Sequence, residues 1–243
     1  MTTLSDKTYL LMYLARHPGK FRRFRAILNN TKRYDRSYFV SDSLSPLLKH
    51  KCIFIHIPKC GGISVAQALF SSNGTSHLSV CDYRALLGKQ RFDSYLKFTF
   101  VRDPWDRLAS AYYFLKSGGR NKWDKAWAED TLSRYSGFQD FVENWISPKN
   151  IYEWIHFRPQ CSFLQLHAKT QLAVDFIGHV ETMDDDFEII ASRLNTSKSL
   201  KKINQTNNRP NTYHELYTKS MLQAVHAAYS DDINLLGYNF DLN

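Results

Sequence analysis

The sequence predicts an α/β fold of three layers, with a central parallel sheet flanked by helices. The first observation is an apolar, β-rich run at residues 52–57, which ends in a loop with proline and glycine before helical spacing over residues 64–70. The second is another strand–loop–helix unit, with a buried-type strand over 98–101 and a helix from about Pro104 to Gly118. Strands that alternate with helices are typical of parallel sheets, whose ligands bind beyond the carboxyl ends of the strands. Both loops are therefore candidates for a binding site.

Four further elements complete the expected fold. A short helix is predicted over residues 4–15 and ends before a His-Pro-Gly turn. A third apolar run, at residues 172–177, predicts a strand that ends at Gly178, and a helix over about residues 183–194 should follow it. The last clear helix is predicted over about residues 213–229.

Length and charge divide the chain unequally. We predict a basic, partly helical N-terminal segment at residues 1–50 and one main domain at residues 51–243. The segment holds ten Lys and Arg residues against three Asp and Glu, so +7 of the net charge of +9 lies there. Such a segment attracts polyanions, for example an acidic glycan or an anionic surface, although a solvated arm without a partner is an equal alternative. No nucleic-acid recognition motif accompanies it, so no specific nucleic acid is expected.

The four cysteines predict neither a metal site nor a disulfide. Cys52, Cys60, Cys81 and Cys161 form no CxxC pair and show no metal-ligand spacing, which favours buried thiols in a reducing compartment. No stretch approaches the about 18 apolar residues that span a bilayer. We therefore expect a cytoplasmic protein, and contact with a membrane surface through the basic segment stays open.

The first loop, residues 58–64, has the composition of an anion-binding turn. It reads PKCGGIS between a strand and a helix, where backbone N–H groups at the helix N-terminus can point at an anion. Gly61 and Gly62 allow close approach of the backbone, Lys59 adds a positive charge and Ser64 adds a hydroxyl donor. The lysine precedes the glycines, so this is not the Walker pattern, and we describe the expected fold as P-loop-like. A plain tight turn explains the glycines equally well.

The second loop and the helix after it, residues 101–110, offer another set of anion donors. Arg102 stands at the end of the strand and Ser110 two turns into the helix, where they can grip a phosphate through charge-assisted hydrogen bonds. Arg107 is interpreted as an ordinary residue of the helix surface. Taken alone, this segment is also consistent with a structural ion-pair site.

Together the two loops resemble those of a known enzyme family. The strings FIHIPKCGGIS and FTFVRDPWDRLASAYYF, about forty residues apart, are similar to the 5′- and 3′-phosphate-binding segments of sulfotransferases that use 3′-phosphoadenosine 5′-phosphosulfate (PAPS). The likeness is to the branch with carbohydrate sulfotransferases, including the heparan sulfate 2-O and 6-O enzymes. It is strong over residues 52–116, weak over 176–181 and 232–240, and does not reach the first fifty residues. It implies PAPS as co-substrate, 3′,5′-adenosine diphosphate as product and no required metal.

The resemblance also assigns roles to individual residues. The 3′-phosphate would be held by Arg102 and Ser110, and residues 200–210 fall where relatives place a loop over the nucleotide. The residues that would hold the 5′-phosphosulfate are Lys59, Gly61, Gly62 and Ser64, with backbone contacts from Cys60 and Ile63. Relatives usually carry hydroxyl groups at the positions of Cys60 and Ile63, so hydroxyl contacts are not expected there.

Catalysis should need one cation and one base. Sulfuryl transfer resembles phosphoryl transfer, in which positioning and charge stabilisation do most of the work. Lys59 can neutralise charge on the bridging oxygen as the diphosphate leaves. A histidine suits the role of base for the acceptor hydroxyl. His77 is placed similarly to the histidine of the heparan enzymes, His156 is an alternative in an aromatic stretch, and His56 is expected to border the phosphates or pack beneath them.

The acceptor is less well defined than the donor. The resemblance and the basic surface imply a glycan or glycolipid hydroxyl, but no residue reads as sugar-specific. Some aromatic residues can stack on sugar rings, and core packing is expected for most of them: Trp123, Trp127, Trp145, Tyr152 and Trp154. Two other functions stay open, a P-loop-like phosphotransferase, which the missing Walker lysine disfavours, and a non-catalytic module that binds polyanions.

Overall fold

The computed structural model describes residues 4–20, 24, 45–72, 76–166, 171–200 and 213–240. The chain divides into two compact units. The first comprises Met1–Ile57, Gly61–Phe100 and Ser162–Ile203, and the second comprises Pro58–Cys60, Val101–Cys161 and Asn204–Asn243. In the described part of the chain, no helix is long and apolar enough to cross a membrane.

Helices separate the three strands along the chain. In order they are α1 (Leu4–Arg16), α2 (Ser45–His50), β1 (Cys52–Ile55), α3 (Gly62–Phe70), α4 (Val80–Leu87), α5 (Lys89–Ser94), β2 (Leu96–Val101), α6 (Pro104–Lys116), α7 (Lys122–Asp130), α8 (Phe138–Asn144), α9 (Cys161–Leu164), β3 (Phe176–His179), α10 (Met183–Arg193) and α11 (Lys219–Leu236). Helices α1, α3, α6 and α10 lie where the sequence predicts them, within a few residues at their ends. All four cysteines are thiols rather than disulfides.

The sheet has three strands in the order β1-β2-β3. β1 runs parallel to β2, with Ile53 opposite Lys97 and Ile55 opposite Thr99. Both strands are almost wholly buried, as their apolar runs predict. Thr99 ties the ends of the pair together because its Oγ1 donates to the Ile55 carbonyl over 2.8 Å. The predicted α/β class, with a parallel sheet flanked by helices, is confirmed.

Helix α1 packs on α4 in the first unit through buried polar contacts. The Asp82 carboxylate accepts from the Tyr13 hydroxyl at 2.8 Å and from Lys20 Nζ at 2.7 Å. On α1, the Asp6 carboxylate accepts from the backbone N–H of Lys89 at 2.7 Å. The boundary after residue 50 stays a prediction, and the lysines and arginines between positions 22 and 36 lie outside the described residues.

The second unit is built around an aromatic core. Trp145 is 5 % exposed, and Trp127 and Trp154 pack against this core with their ring centroids 5.5 Å apart. These three side chains are core residues, as expected. Trp123 and Tyr152 differ, since they are 66 % and 50 % exposed.

The third strand lies later than predicted. The run at 172–177 suggests a strand that stops at Gly178, whereas β3 contains Gly178. The reason is close packing, because a Cβ on Gly178 would lie 2.6 Å from Cε1 of Phe100 on β2. The glycine therefore permits contact within the sheet instead of ending the strand.

The last helix is also displaced towards the C-terminus. It was expected over 213–229, but α11 begins after Thr218, whose side chain accepts from the backbone N–H of Met221 and caps the helix. It ends at Gly237, which has a φ of 73° and so adopts the left-handed conformation typical of a C-terminal cap. The capping residues thus override the apolar spacing that suggested an earlier start.

Candidate functional site

The first loop joins β1 to α3 through a strained backbone. Lys59 has a φ of 69° and Gly61 a φ of 68°, both in the left-handed region that favours glycine. For a lysine this conformation costs about 1–3 kcal/mol and is typical of functional loops. The loop therefore holds Lys59 in a geometry that its own backbone preference would not select.

Both glycines of the first loop are required by neighbouring side chains in the first unit. A Cβ on Gly61 would lie 2.5 Å from Cε of Met183, and a Cβ on Gly62 would lie 2.0 Å from Cδ2 of His56. The imidazole of His56 thus packs directly against the first residue of α3. The sequence explanation, close approach of the loop backbone to an anion, stays a prediction.

Substitution of Gly62 should show how closely His56 packs. In Gly62→Ala the new methyl group overlaps the imidazole, so we expect a loss of about 1–3 kcal/mol in the free energy of unfolding, as for other overpacked sites. Thermal or denaturant unfolding measures this loss. Gly19→Ala is the matched control in the same unit, since its Cβ would meet nothing within 4 Å. Equal stability of the two variants would contradict the described packing of His56.

The helices after the two loops begin differently. Gly61, the N-cap of α3, has no side chain to accept from the first N–H groups of that helix. Asp103, the N-cap of α6, accepts from the N–H groups of Trp105 and Asp106 at 2.9 and 3.0 Å. Burial raises the pKa of Asp103 to about 6, and these hydrogen bonds oppose the shift. An external anion is therefore better accommodated at the start of α3 than at the start of α6.

Ser64 borders a cleft of about 350 Å³ in the first unit. The cleft lies along α3 and includes Gln67 and Ser71 on that helix, and Lys198 on the segment after α10. Lys198 Nζ donates to the Leu69 carbonyl over 3.2 Å, which holds a positive charge beside the helix. Except for Leu200, the predicted nucleotide loop at 200–210 lies outside the described residues.

His77 and His56 form a pair in the first unit. Nδ1 of His77 lies 2.8 Å from the His56 carbonyl oxygen, and the two ring centroids are 4.4 Å apart. Because a carbonyl oxygen only accepts, we assign the proton of the neutral His77 ring to Nδ1, which leaves Nε2 as the basic nitrogen. A neutral imidazole of this kind can accept a proton, and the role of His77 as general base stays a prediction. His56 is 5 % exposed and packs against Gly62 of the first loop, and its expected position at the phosphates stays a prediction.

Arg102 and Lys59, predicted from separate loops, contact each other in the second unit. Nη1 of Arg102 donates to the Lys59 carbonyl over 3.2 Å, and its Nε donates to the Asp106 carboxylate. The Lys59 ammonium lies over the Phe114 ring, 3.9 Å from its centroid. Ser110 lies on the second turn of α6 and is 3 % exposed, and its contact with a phosphate stays a prediction.

Arg107 corrects an expectation. The sequence suggests a helix-surface residue, but Arg107 is 1 % exposed. Its guanidinium donates to the carbonyls of Pro58, His156 and Arg158 at 3.1, 3.3 and 2.5 Å. A buried guanidinium needs several acceptors, and backbone carbonyls from two distant segments supply them. Arg107 therefore fastens the first loop to the segment around residue 158.

His156 lies in a buried polar pair of the second unit. Its Nε2 is 3.1 Å from Asp124 Oδ1, and its ring meets that of Phe114 at 5.0 Å between centroids. Burial lowers the pKa of His156, and the hydrogen bond with Asp124 only partly opposes this shift. A neutral histidine held by a carboxylate inside an aromatic cluster indicates a structural role.

Two buried residues escaped the sequence reasoning. Gln160 and Asp232 are both 0 % exposed. The Gln160 side chain contacts Cys60 and Arg102, and the Asp232 carboxylate accepts from the N–H groups of Gln160 and Cys161. The one available signal was the weak family likeness over 232–240, which begins at Asp232. Among the described residues, no group of three or more His, Cys, Asp or Glu side chains is arranged to hold a metal ion.

Comparison with known proteins agrees with the chemistry of the two loops. A profile described as the sulfotransferase family matches residues 48–239. Carbohydrate sulfotransferase 10 of Xenopus laevis is 24% identical over 287 residues, which covers 97% of this chain and 79% of that protein. The protein of the same name in Homo sapiens is 25% identical over 256 residues, covering 87% and 71%. An uncharacterized protein of Archaeoglobus fulgidus is 30% identical over 118 residues, covering 48% and 82%. No solved structure matches significantly.

Proposed function

The chain belongs to the sulfotransferase family, and on that premise we propose that it transfers a sulfuryl group from PAPS to a hydroxyl group of a carbohydrate. The observation that carries the proposal is the contact between Arg102 and the Lys59 carbonyl. It joins the two loops whose sequences resemble the 5′- and 3′-phosphate segments of the family. The carbohydrate acceptor is proposed because the similar proteins are carbohydrate sulfotransferases by name.

The two loops would divide the donor between them. Residues 59–64 would hold the 5′-phosphosulfate through the Lys59 ammonium, the N–H groups at the start of α3 and the Ser64 hydroxyl. Arg102 and Ser110 would hold the 3′-phosphate. In support, Gly61 leaves the start of α3 without a side-chain cap, and the Arg102 guanidinium is anchored beside the first loop.

The transfer itself is an in-line displacement at sulfur. A bond forms between sulfur and the acceptor oxygen while the bond from sulfur to the bridging phosphate oxygen breaks, and 3′,5′-adenosine diphosphate leaves. Lys59, whose ammonium lies over the Phe114 ring, would stabilise the negative charge on the bridging oxygen. Nε2 of His77 would take the proton of the acceptor hydroxyl, with Nδ1 held by the His56 carbonyl.

The test is calorimetric titration with 3′,5′-adenosine diphosphate, 5′-AMP and ATP, without magnesium. Selective binding of the 3′-phosphorylated ligand is expected, because a second charged phosphate contact adds about 1.5–3 kcal/mol. Equal binding of the three ligands, or none, would overturn the proposal. Preference for ATP would support the phosphotransferase alternative instead.

A further inference from the structure

We propose that Gln160 is a positioning residue for the donor site, which holds the backbone of Arg102 and the Lys59–Cys60 segment in the arrangement that the 3′-phosphate requires. The inference rests on the proposed function, since it assigns to Gln160 a part in recognising the PAPS donor. Neither the sequence motifs nor the family likeness assigns Gln160 a role. All contacts of Gln160 described below lie within the second unit.

The amide of Gln160 makes hydrogen bonds to both loops. Its Oε1 accepts from the backbone N–H of Arg102 at 3.0 Å and from the Cys60 thiol at 3.3 Å. Its Nε2 donates to the Arg102 carbonyl at 2.8 Å. One side chain therefore satisfies both backbone groups of Arg102 and also reaches the first loop.

The Gln160 side chain pairs the backbone of Arg102 just beyond the end of β2. Arg102 is the first residue after β2, where the backbone no longer belongs to the sheet. The side-chain amide of Gln160 offers one donor and one acceptor to that backbone, as a neighbouring strand would. Buried backbone groups without such partners are costly, so without Gln160 the Arg102 segment should shift or admit water.

The backbone of Gln160 is bonded to Asp232, a residue of α11. The Asp232 carboxylate accepts from the backbone N–H groups of Gln160 at 2.7 Å and Cys161 at 2.8 Å, and it is 0 % exposed. Arg107 holds the preceding residues through the Arg158 carbonyl. These hydrogen bonds fix the backbone that carries the Gln160 amide. A fixed supporting backbone is the condition for precise placement of Arg102 and Lys59.

The consequence concerns the 3′-phosphate more than the rest of the donor. Gln160 makes two hydrogen bonds to Arg102 and one weaker thiol contact to Cys60. A shift of the Arg102 backbone displaces its guanidinium, which would contact the 3′-phosphate. Loss of the amide should therefore reduce the preference for 3′,5′-adenosine diphosphate over 5′-AMP, an effect that general destabilisation does not produce.

The test compares this preference in Gln160→Met and Tyr229→Phe. Methionine keeps the length and volume of glutamine but makes no comparable hydrogen bonds. Tyr229→Phe is the matched control, since it removes another buried hydrogen bond of the second unit, from the Tyr229 hydroxyl to the Phe157 carbonyl at 2.7 Å. Calorimetry gives the two affinities, and thermal unfolding gives the stability of each variant. We expect Gln160→Met to lower the affinity ratio at least about tenfold and Tyr229→Phe to leave it unchanged.

The outcomes separate the two proposals. Wild-type protein that does not prefer the 3′-phosphorylated ligand would overturn the proposed function, and the role of Gln160 with it. Wild-type preference that persists in Gln160→Met would overturn the role of Gln160 alone. If Gln160→Met does not fold, Gln160→Asn replaces it, because its amide is polar but one methylene too short to reach both backbone groups of Arg102. An unchanged ratio in folded Gln160→Asn would equally refute the role.

Discussion

Arg102→Ala should weaken binding of 3′,5′-adenosine diphosphate by about 10- to 150-fold, the equivalent of the about 1.5–3 kcal/mol that a hydrogen bond to a charged group contributes. Binding of 5′-AMP, which has no 3′-phosphate, should change much less. The reason is that the guanidinium lies beside the first loop and supplies a fixed positive charge there. Calorimetric titration of both ligands measures the difference.

Arg134→Ala provides the matched control for this prediction. Arg102 makes an ion pair with Asp106, four residues later in the chain. Arg134 makes a similar pair with Asp130, four residues earlier, at 3.0 Å, and it lies in the same unit. Its side chain is 64% exposed, so its loss should change neither the affinity for the two ligands nor the stability measurably. If Arg102→Ala binds both ligands as the control does, Arg102 does not recognise the 3′-phosphate.

His77→Ala should reduce turnover by about 10²- to 10⁴-fold, the range usual for loss of a general base, while donor binding stays near normal. The hydrogen bond between its Nδ1 and the His56 carbonyl leaves Nε2 as the basic nitrogen. The measurement is transfer of a labelled sulfuryl group from PAPS to a carbohydrate acceptor, with 3′,5′-adenosine diphosphate titrated in parallel. His226→Ala serves as the control, because His226 is exposed on α11.

Full turnover in His77→Ala would show that His77 is not the base, and His156 would be the next candidate. Replacing His156 should reduce stability, whereas replacing His77 should reduce turnover, since His156 is buried and bonded to Asp124. We expect His156→Ala to lower the unfolding temperature, and to lower activity only as far as the protein unfolds. A selective loss of turnover in folded His156→Ala would reverse the assignment of the base.

Much of the fold follows from patterns that are local in the chain. The apolar runs before each loop predict β1 and β2, and proline at the first position of α6 marks its start. The same short-range patterns locate Lys59 and Arg102 at the ends of neighbouring strands. The errors at β3 and α11 have causes of two kinds. Gly178 packs against Phe100, which is distant in sequence. The cap at Thr218, in contrast, was a local signal that the apolar spacing obscured.

The order of the elements, the two loops and the family likeness were thus determined by the sequence alone, because periodicity, loop composition and motifs are properties of consecutive residues. Tertiary structure decided how the buried polar side chains are used. It placed the Arg107 guanidinium in the interior, where it donates to the Pro58 carbonyl. It also brought the Gln160 side chain into hydrogen-bond contact with the backbone of Arg102, 58 residues away. It also set the hydrogen bond from which we assign the tautomer of His77. The physical reason is that a buried donor or acceptor must find a partner, and the partner is chosen by which distant segments packing brings together.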